Sequence, residues 1–445
     1  MNVLLVQAPM PSNLMMKEIL DFGLKYMPLQ LGYMAAVLRQ YGHNVEIADL
    51  HVQRLTPEDY AREYLKAGVP YDMVGISCTT VSYNQALRIA ELTKLACQGV
   101  KITLGGPHVT FRAKEALERS RAVDYVVRGE GERTLLELVE ALAHGLSLEN
   151  VLGLTYREGA AILENHDRPP LADLDTLPFP ARDLLVSSFY PNEGIVTSRG
   201  CPRRCIFCAA GAMSNYSYRI RSPRSIVEEL RLLQGERVIS FYDNTFSGHY
   251  ETALQICEAI ISAKLNISWT CELRVDRATP ELFAKLRAAG CRGVQFGVES
   301  GSDEVLRAIK KGITVSQVRS AVEMAMAQDL KVVCSFTLGH PLDTPETIDA
   351  TFSLMKELKR IGATVSSALL VPYPGTDLCE RSNELGITIH DENWDTYYPA
   401  RPIISTKYLS RDRLGEYYMY SKLTLEDPHF VNLRLALEDD SDAVL

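Results

Sequence analysis

The chain has 445 residues, 46% hydrophobic and 23% charged, with a net charge of −9. That length suits two or three ordinary domains and that composition a folded protein; the acidic balance excludes a large phosphate-binding surface of clustered Lys and Arg, so no nucleic-acid partner is expected. No apolar run approaches the roughly 18 residues needed to span a bilayer, and Met1-Asn2-Val3-Leu4-Leu5-Val6 lacks a basic leader, so the expectation is a cytoplasmic protein with no membrane partner.

In chain order, residues 1–145 alternate short apolar runs with amphipathic helical stretches. The runs are Val3–Val6, Val45–Ala48, Met73–Ser77, Ile102–Leu104 and Tyr125–Val127, and between them lie segments such as Leu31–Tyr41, Asn84–Ala96 and Thr134–Ala143. Continuous apolar strands separated by helices mean a parallel sheet covered on both faces. Five such units predict a doubly wound, flavodoxin-like (Rossmann-type) α/β domain. Residues 146–190 change character. Gly153–Arg157 and Ala161–Asn165 suit a hairpin, and the prolines of Arg168-Pro169-Pro170 and Leu177-Pro178-Phe179-Pro180 oppose helix and central strand, so this stretch reads as an extended linker.

A second βα series fills 191–375. Its strands are Ile195–Ser198, Val238–Tyr242, Ser268–Leu273, Gly293–Val298, Val332–Leu338 and Ser366–Val371, with helices such as Ser225–Leu233, Thr252–Ala263, Pro280–Ala289 and Val315–Ala327 between them. Six units are too few for the closed eight-unit barrel, so a partial (β/α)6 TIM-type barrel is expected. Residues 376–445 form a mixed extension ending in the acidic run Glu438-Asp439-Asp440.

Seven of the ten cysteines are scattered in apolar stretches and read as small buried hydrophobes. The other three form Cys201-Pro202-Arg203-Arg204-Cys205-Ile206-Phe207-Cys208, directly after an apolar strand. A given cysteine finds partners at +4 and +7 by chance roughly once in 2,000 times. The position is a loop at the C-terminal end of a barrel strand, where active sites of such barrels lie. Three thiolates suit a [4Fe–4S] cluster with one open iron, since a structural cluster uses four. Structural zinc wants a fourth Cys or His, and the next histidine, His249, is far along the chain. A disulfide framework does not suit a cytosolic chain.

This spacing, with Phe207 before the last cysteine, resembles the signature of radical SAM enzymes. In that family the open iron chelates the amino and carboxylate groups of S-adenosylmethionine (SAM), and an electron from the cluster cleaves the sulfonium to leave a 5′-deoxyadenosyl radical. Matching segments follow at the later strand ends. Phe241-Tyr242-Asp243-Asn244 resembles the segment that receives the methionine amino group. The cobalamin-linked relatives usually carry two acidic residues there, and this chain has Asp243 followed by Asn244; of the two, Asp243 meets the need for a carboxylate facing an ammonium, with a strand-end cap or turn residue as the alternative. Arg274, after Glu272-Leu273, is the candidate for the SAM carboxylate, with a buried ion pair as the alternative. Gly297-Val298-Glu299-Ser300-Gly301 resembles the ribose-contacting segment, with Glu299 accepting from the hydroxyls. Phe336-Thr337-Leu338-Gly339-His340-Pro341 resembles the adenine-contacting turn, where His340 either touches adenine or is a surface turn residue.

The front domain carries patterns that resemble the cobalamin-binding domain of the same subfamily: Met27-Pro28-Leu29-Gln30-Leu31-Gly32, Gly42-His43-Asn44-Val45, Leu104-Gly105-Gly106-Pro107-His108-Val109 and Arg128-Gly129-Glu130-Gly131. Gly105 and Gly106 at a strand end let a flat ligand or its tail approach the backbone. Gly129 and Glu130 precede a helix whose N-terminus can hold a polar group. Ser77, Thr79 and Thr80 follow the third strand and are expected near the corrin. No Asp-x-His-x-x-Gly motif is present, so cobalamin is expected base-off and without a histidine ligand. His108 reads as a loop residue near the tail, and His43 as a surface turn residue.

The resemblance implies a cobalamin-dependent radical SAM methyltransferase. One SAM methylates the cobalamin, and a second gives the 5′-deoxyadenosyl radical that activates an unreactive carbon to take the methyl group from methylcobalamin. The same architecture also serves cyclisation, ring contraction or another SAM-derived group transfer, and a non-catalytic cobalamin or Fe–S sensor is the rival from another class. The expected partners are a small-molecule or peptide substrate and an electron donor such as flavodoxin or ferredoxin. The linker, the barrel mouth and residues 376–445, including Trp394, Tyr397, Tyr398, Tyr417 and Tyr418, are the candidate substrate-pocket lining, with packing as the alternative for the aromatics.

Overall fold

The computed structural model describes residues 1–11, 26–65, 71–190, 192–235 and 238–426; the acidic run Glu438–Asp440 lies outside them. The chain divides into two compact units at Pro191/Asn192, and the short segment Asn393–Asp395 groups with the first. Among the described residues no helix is long and apolar enough to cross a membrane.

In the first unit, β1 (Asn2–Gln7), β2 (Asn44–Asp49), β3 (Met73–Ser77), β4 (Lys101–Gly105) and β5 (Tyr125–Val127) pair in parallel in the order β2-β1-β3-β4-β5. This is the doubly wound order, with its topological switch point between β1 and β3. Alternate residues of each strand enter two separate apolar layers. Leu4, Val6, Val74, Ile76, Ile102 and Leu104 pack on one face, and Val3, Leu5, Met73, Tyr125 and Val127 on the other. That is why the strands read as unbroken apolar runs.

The 146–190 stretch is more than a spacer. β6 (Leu154–Glu158) and β7 (Ala161–Glu164) form the expected hairpin, and β6 pairs antiparallel with β5, extending the sheet to seven strands. The proline-rich remainder carries only short 3-10 turns and packs on the helix Leu29–Gln40, where Ala181 N–H donates to the Gly32 carbonyl at 3.0 Å and Arg39 pairs with Asp183 at 2.7 Å.

The second unit has six parallel strands: β8 (Glu193–Ile195), β11 (Ile239–Phe241), β12 (Trp269–Leu273), β13 (Cys291–Glu299), β14 (Lys331–Leu338) and β15 (Thr364–Leu369). Their spatial order follows their order in the chain, and β8 does not pair with β15, so the sheet is an open (β/α)6 half-barrel. The expected first strand, Ile195–Ser198, is two elements. β8 belongs to the half-barrel, while β9 (Ser198–Gly200) turns out of it to pair antiparallel with β10 (Tyr218–Ile220). The helices begin where capping chemistry dictates. Ser222, Thr279 and Thr344 each cap a helix that opens with proline, and Thr314 and Gln317 form a capping box. In the extension, β16 (Ile387–Ile389) pairs with β17 (Ile404–Thr406), and the helix Arg411–Thr424 packs against β14 and β15.

Candidate active site

Cys201, Cys205 and Cys208 lie on the loop between β9 and the short helix Ala210–Met213. All three thiols are free, and Cys208 is exposed. Two contacts pin the loop to the turn after the helix Asp303–Ala308: Ile206 N–H donates to the Ile309 carbonyl at 3.2 Å, and the Cys205 thiol to that of Lys310 at 3.7 Å. Burial pushes the Cys205 thiol up, against the pull of Lys311 and Arg274, and Cys201 adds to the rise. Such a thiol becomes a ligand only when iron displaces its proton. Among the described residues no three Cys, His, Asp or Glu side chains converge on a point that could hold a single ion. A cubane fits this donor set better, because three of its four irons can each take a different thiolate.

Glu299 ends β13 with φ of +70°, a left-handed conformation rare for a non-glycine residue, at a break in register with β14. Its carboxylate accepts from Lys311 Nζ at 2.6 Å and from Thr337 Oγ1 at 2.8 Å. Burial pushes this carboxyl up, but Lys311, His340 and Thr337 outweigh it and hold it below the ordinary range. Gly297 makes the pair possible: a Cβ there would stand 2.7 Å from Glu299 Oε1 and 2.8 Å from Lys311 Nζ.

Arg274 donates to Asp276 from Nε at 2.9 Å and to the Lys311 carbonyl from Nη2 at 2.7 Å; Arg203 reaches the same Asp276 at 2.7 Å. The ion-pair alternative therefore describes most of its guanidinium. Arg203, Arg274 and Arg277 line a cavity of about 190 Å³ together with Pro202, Thr245, Ser247 and Gly248.

Asp243 is buried and turned away from solvent. It accepts from Thr197 N–H at 2.8 Å, Thr197 Oγ1 at 2.6 Å and Ser198 N–H at 2.6 Å. Burial raises its carboxyl above the ordinary range. Its neighbour Asn244 is the exposed member of the pair.

Gly339 and His340 donate their N–H groups to Asp343 at 2.9 and 2.8 Å. His340 is fully buried, which corrects the surface-turn alternative: Asp343 folds the turn inward. Among the described residues neither of its ring nitrogens has a hydrogen-bond partner, and its ring stands 5.5 Å from that of Phe207 in the cysteine loop. Burial lowers its pKa, keeping the imidazole neutral.

In the first unit, Ser77, Thr79 and Thr80, Gly105, Gly106 and His108, and Gly129 and Glu130 follow β3, β4 and β5, so all eight share the C-terminal edge of the sheet. Gly106 has φ of +108°, and a Cβ there would lie 2.3 Å from the Cys78 carbonyl oxygen. Thr110 Oγ1 ties two loops together, donating to the Gly106 carbonyl at 2.9 Å and accepting from Gly129 N–H at 3.0 Å. Ser77 is half-buried and Thr79 exposed, so both stay reachable, whereas Thr80 is buried against His108 Nδ1 at 3.3 Å. His108 is a buried ring packed between Tyr83 and Trp394, not a loop residue, and burial pushes its pKa down to about 3. Glu130 accepts from Leu171 N–H at 3.2 Å. His43 is likewise buried, touching Glu140 at 2.7 Å rather than standing on the surface. A glycine-walled C-terminal edge after β4 and β5, where His108 is buried rather than presented to solvent, fits a flat ligand held by backbone.

Lys311 has no counterpart among the residues singled out from sequence, and Thr337, within the adenine-contacting turn, has no role of its own there. Lys310-Lys311-Gly312 offers no periodicity or spacing, and only the docking of its turn on the cysteine loop gives Lys311 a role. Of the aromatics in the extension, Tyr397 and Tyr417 are buried packing residues, and Trp394 packs on His108.

Two family profiles match the chain: the B12 binding domain over residues 19–139 and the radical SAM superfamily over 195–355. An uncharacterized methyltransferase of Pyrococcus horikoshii is 34% identical over 96% of this chain and 94% of its own. The anaerobic magnesium-protoporphyrin IX monomethyl ester cyclase of Rubrivivax gelatinosus is 27% identical over 87% of this chain and 71% of its own. Among solved structures, the radical S-adenosylmethionine methyltransferase TsrM of Kitasatospora setae, with cobalamin and [4Fe-4S] cluster bound, aligns with a TM-score of 0.73 at 19% identity. That alignment covers 94% of this chain and 84% of the other, and shows a shared fold.

Proposed function

This chain belongs to the radical SAM enzymes that carry a cobalamin-binding domain, and we propose that within that family it transfers a methyl group to an unactivated carbon of a small-molecule or peptide substrate. It is an enzyme whose cofactors are a [4Fe–4S] cluster, SAM and cobalamin. When bound, the cluster and SAM supply a 5′-deoxyadenosyl radical, and cobalamin carries the methyl group.

The chain's own residues provide the holding and the electrostatics. Cys201, Cys205 and Cys208 ligate three irons and leave the fourth for SAM. Glu299, kept ionised by Lys311, accepts from the ribose hydroxyls. Exposed Asn244 takes the methionine amino group, while buried Asp243 positions Thr197 and Ser198 ahead of the cysteine loop. Arg274 keeps Nη1 for the SAM carboxylate, and the neutral ring of His340 meets the adenine edge beside Phe207 and Gly339. In the first unit the backbone at Gly105, Gly106 and Gly129, with Ser77 and Thr79, holds the corrin. Thr80, His108 and Glu130 shape that edge from behind.

The observation that carries this reading is the coexistence in one chain of a three-cysteine loop at the mouth of a half-barrel and a glycine-walled C-terminal edge on a doubly wound sheet. The relatives named methyltransferase favour methyl transfer, and the cyclase marks the competing outcome. An electron donor such as flavodoxin or ferredoxin is required as a partner. The test is the SAM product ratio after reconstitution with iron, sulfide and hydroxocobalamin and turnover under reductant. Methyl transfer yields S-adenosylhomocysteine and 5′-deoxyadenosine together, whereas 5′-deoxyadenosine alone would favour cyclisation or ring contraction.

A further inference from the structure

Along β12 to β15, alternate residues point to opposite faces of the half-barrel. The helix-facing set is apolar and sealed: Cys271, Leu273, Val294, Phe296, Cys334, Phe336 and Val365 are all buried. In a closed barrel the inward set would also be packed with branched apolar residues. Here it is polar and reachable. Glu272 is exposed, and Gln295, Ser335, Thr337 and Ser366 are each half-buried. The register sets them in two adjoining rows of one face: Glu272 pairs with Gln295, whose partner on β14 is the buried Val333, and Gly297 pairs with Ser335, which pairs with Ser366.

Glu272 is open to solvent on the inward face of β12, two residues before Arg274. Burial raises its pKa to about 7, Glu299 and Asp243 push in the same direction, and Lys311 opposes them. Gly297, whose inward space the Glu299–Lys311 pair fills, lies two residues beyond Gln295, about 7 Å along the strand. This face, the floor of the half-barrel, therefore begins beside the SAM ribose position.

We propose that this floor is the substrate site and that Glu272 is its specificity-determining residue, accepting a hydrogen bond from an amino or hydroxyl group of a small, hydrogen-bond-rich substrate. This rests on the methyltransferase reading for the chemistry, but the recognition claim stands on the floor itself. Thr337 and Ser335 are already satisfied by Glu299 and by the Phe296 carbonyl, but an apolar triterpene or a flat tetrapyrrole would cover Glu272, Gln295 and Ser366 without pairing them, each polar group so covered costing on the order of 1–3 kcal/mol.

The test is carboxyl footprinting of the reconstituted holoprotein with a water-soluble carbodiimide and glycine ethyl ester, read by peptide mass spectrometry. The pH is about 6, where a carboxyl titrating near neutrality is still protonated. The probes are a panel of amino acids, amino sugars and nucleosides, with squalene and protoporphyrin IX as apolar and flat controls. We expect Glu272 to be modified in the free protein. At least one polar probe should reduce that modification severalfold and stimulate 5′-deoxyadenosine formation. Glu272→Gln should lose that stimulation while keeping its iron content and circular dichroism. Glu272 unmodified in the folded holoprotein would show the floor closed. Protection by squalene or protoporphyrin IX alone, or by no polar probe, would overturn the substrate class. None of these footprints depends on methyl transfer, so a holoprotein that makes no S-adenosylhomocysteine refutes the proposed function and leaves the footprint to judge the floor.

Discussion

Replacing Glu299 with Gln keeps the shape of the side chain and removes its charge. The Lys311 and Glu299 side chains are only 11% and 10% exposed, and their N···O separation is 2.6 Å. Charge centres about 4 Å apart attract by about 4 kcal/mol at an effective dielectric of 20. Gln retains an acceptor for Lys311, so the folded protein should lose about 2–3 kcal/mol, less than the 3–5 typical of an outright broken buried pair. The loss at the cofactor is separate. A hydrogen bond from a ribose hydroxyl to a carboxylate is worth about 1.5–3 kcal/mol, so SAM affinity should fall by roughly one to two powers of ten. Because Glu299's folded pKa lies below its ordinary value of 4.5, its stabilising contribution is complete above that value and is lost as pH falls through the folded pKa. The thermal midpoints of wild type and variant should therefore converge on the acid side. SAM binding is measured by equilibrium dialysis on reconstituted protein, with iron content as the control. Unchanged affinity at normal iron content would refute the placement of SAM at this strand end.

Lys311→Met strands the Glu299 carboxylate, so it should destabilise by about 3–5 kcal/mol and raise the carboxyl's pKa, seen as an acid-side stability loss shifted to higher pH. Replacing Cys201, Cys205 or Cys208 with Ala should abolish 5′-deoxyadenosine formation, and Cys205→Ala with full iron and turnover would contradict the ligand assignment. Gly106→Ala places a Cβ 2.3 Å from the Cys78 carbonyl oxygen at φ of +108°; it should cost on the order of 2 kcal/mol and weaken hydroxocobalamin binding, measured by visible absorbance titration. Electron paramagnetic resonance of the cob(II)alamin form should lack axial-nitrogen splitting, because the His108 ring is enclosed by Tyr83 and Trp394.

Both sheets were legible because strands covered on both faces leave unbroken apolar runs, such as Val3–Val6 and Val332–Leu338, and the cysteine triplet because its spacing is improbable by chance. What escaped depends on pairing or direction, neither of which a linear pattern carries. Ser198 continues the apolar run from Ile195, yet it leaves the half-barrel for the β9–β10 ribbon. The β6–β7 hairpin reads as an isolated turn until its register with β5 is known. Asp243 has the right chemistry for an ammonium, but the backbone of Thr197 and Ser198 claims its oxygens first. Lys311 was silent because a lysine beside another lysine normally marks a solvated surface, and only the left-handed turn at Glu299 brings a carboxylate to it.

The central claim is that three cysteines of this chain hold a cluster whose fourth iron binds SAM. Electron paramagnetic resonance of the reduced, reconstituted protein with and without SAM tests it most directly. A [4Fe–4S]⁺ signal should change on adding SAM in the wild type and be absent in Cys205→Ala; a signal indifferent to SAM would contradict this assignment.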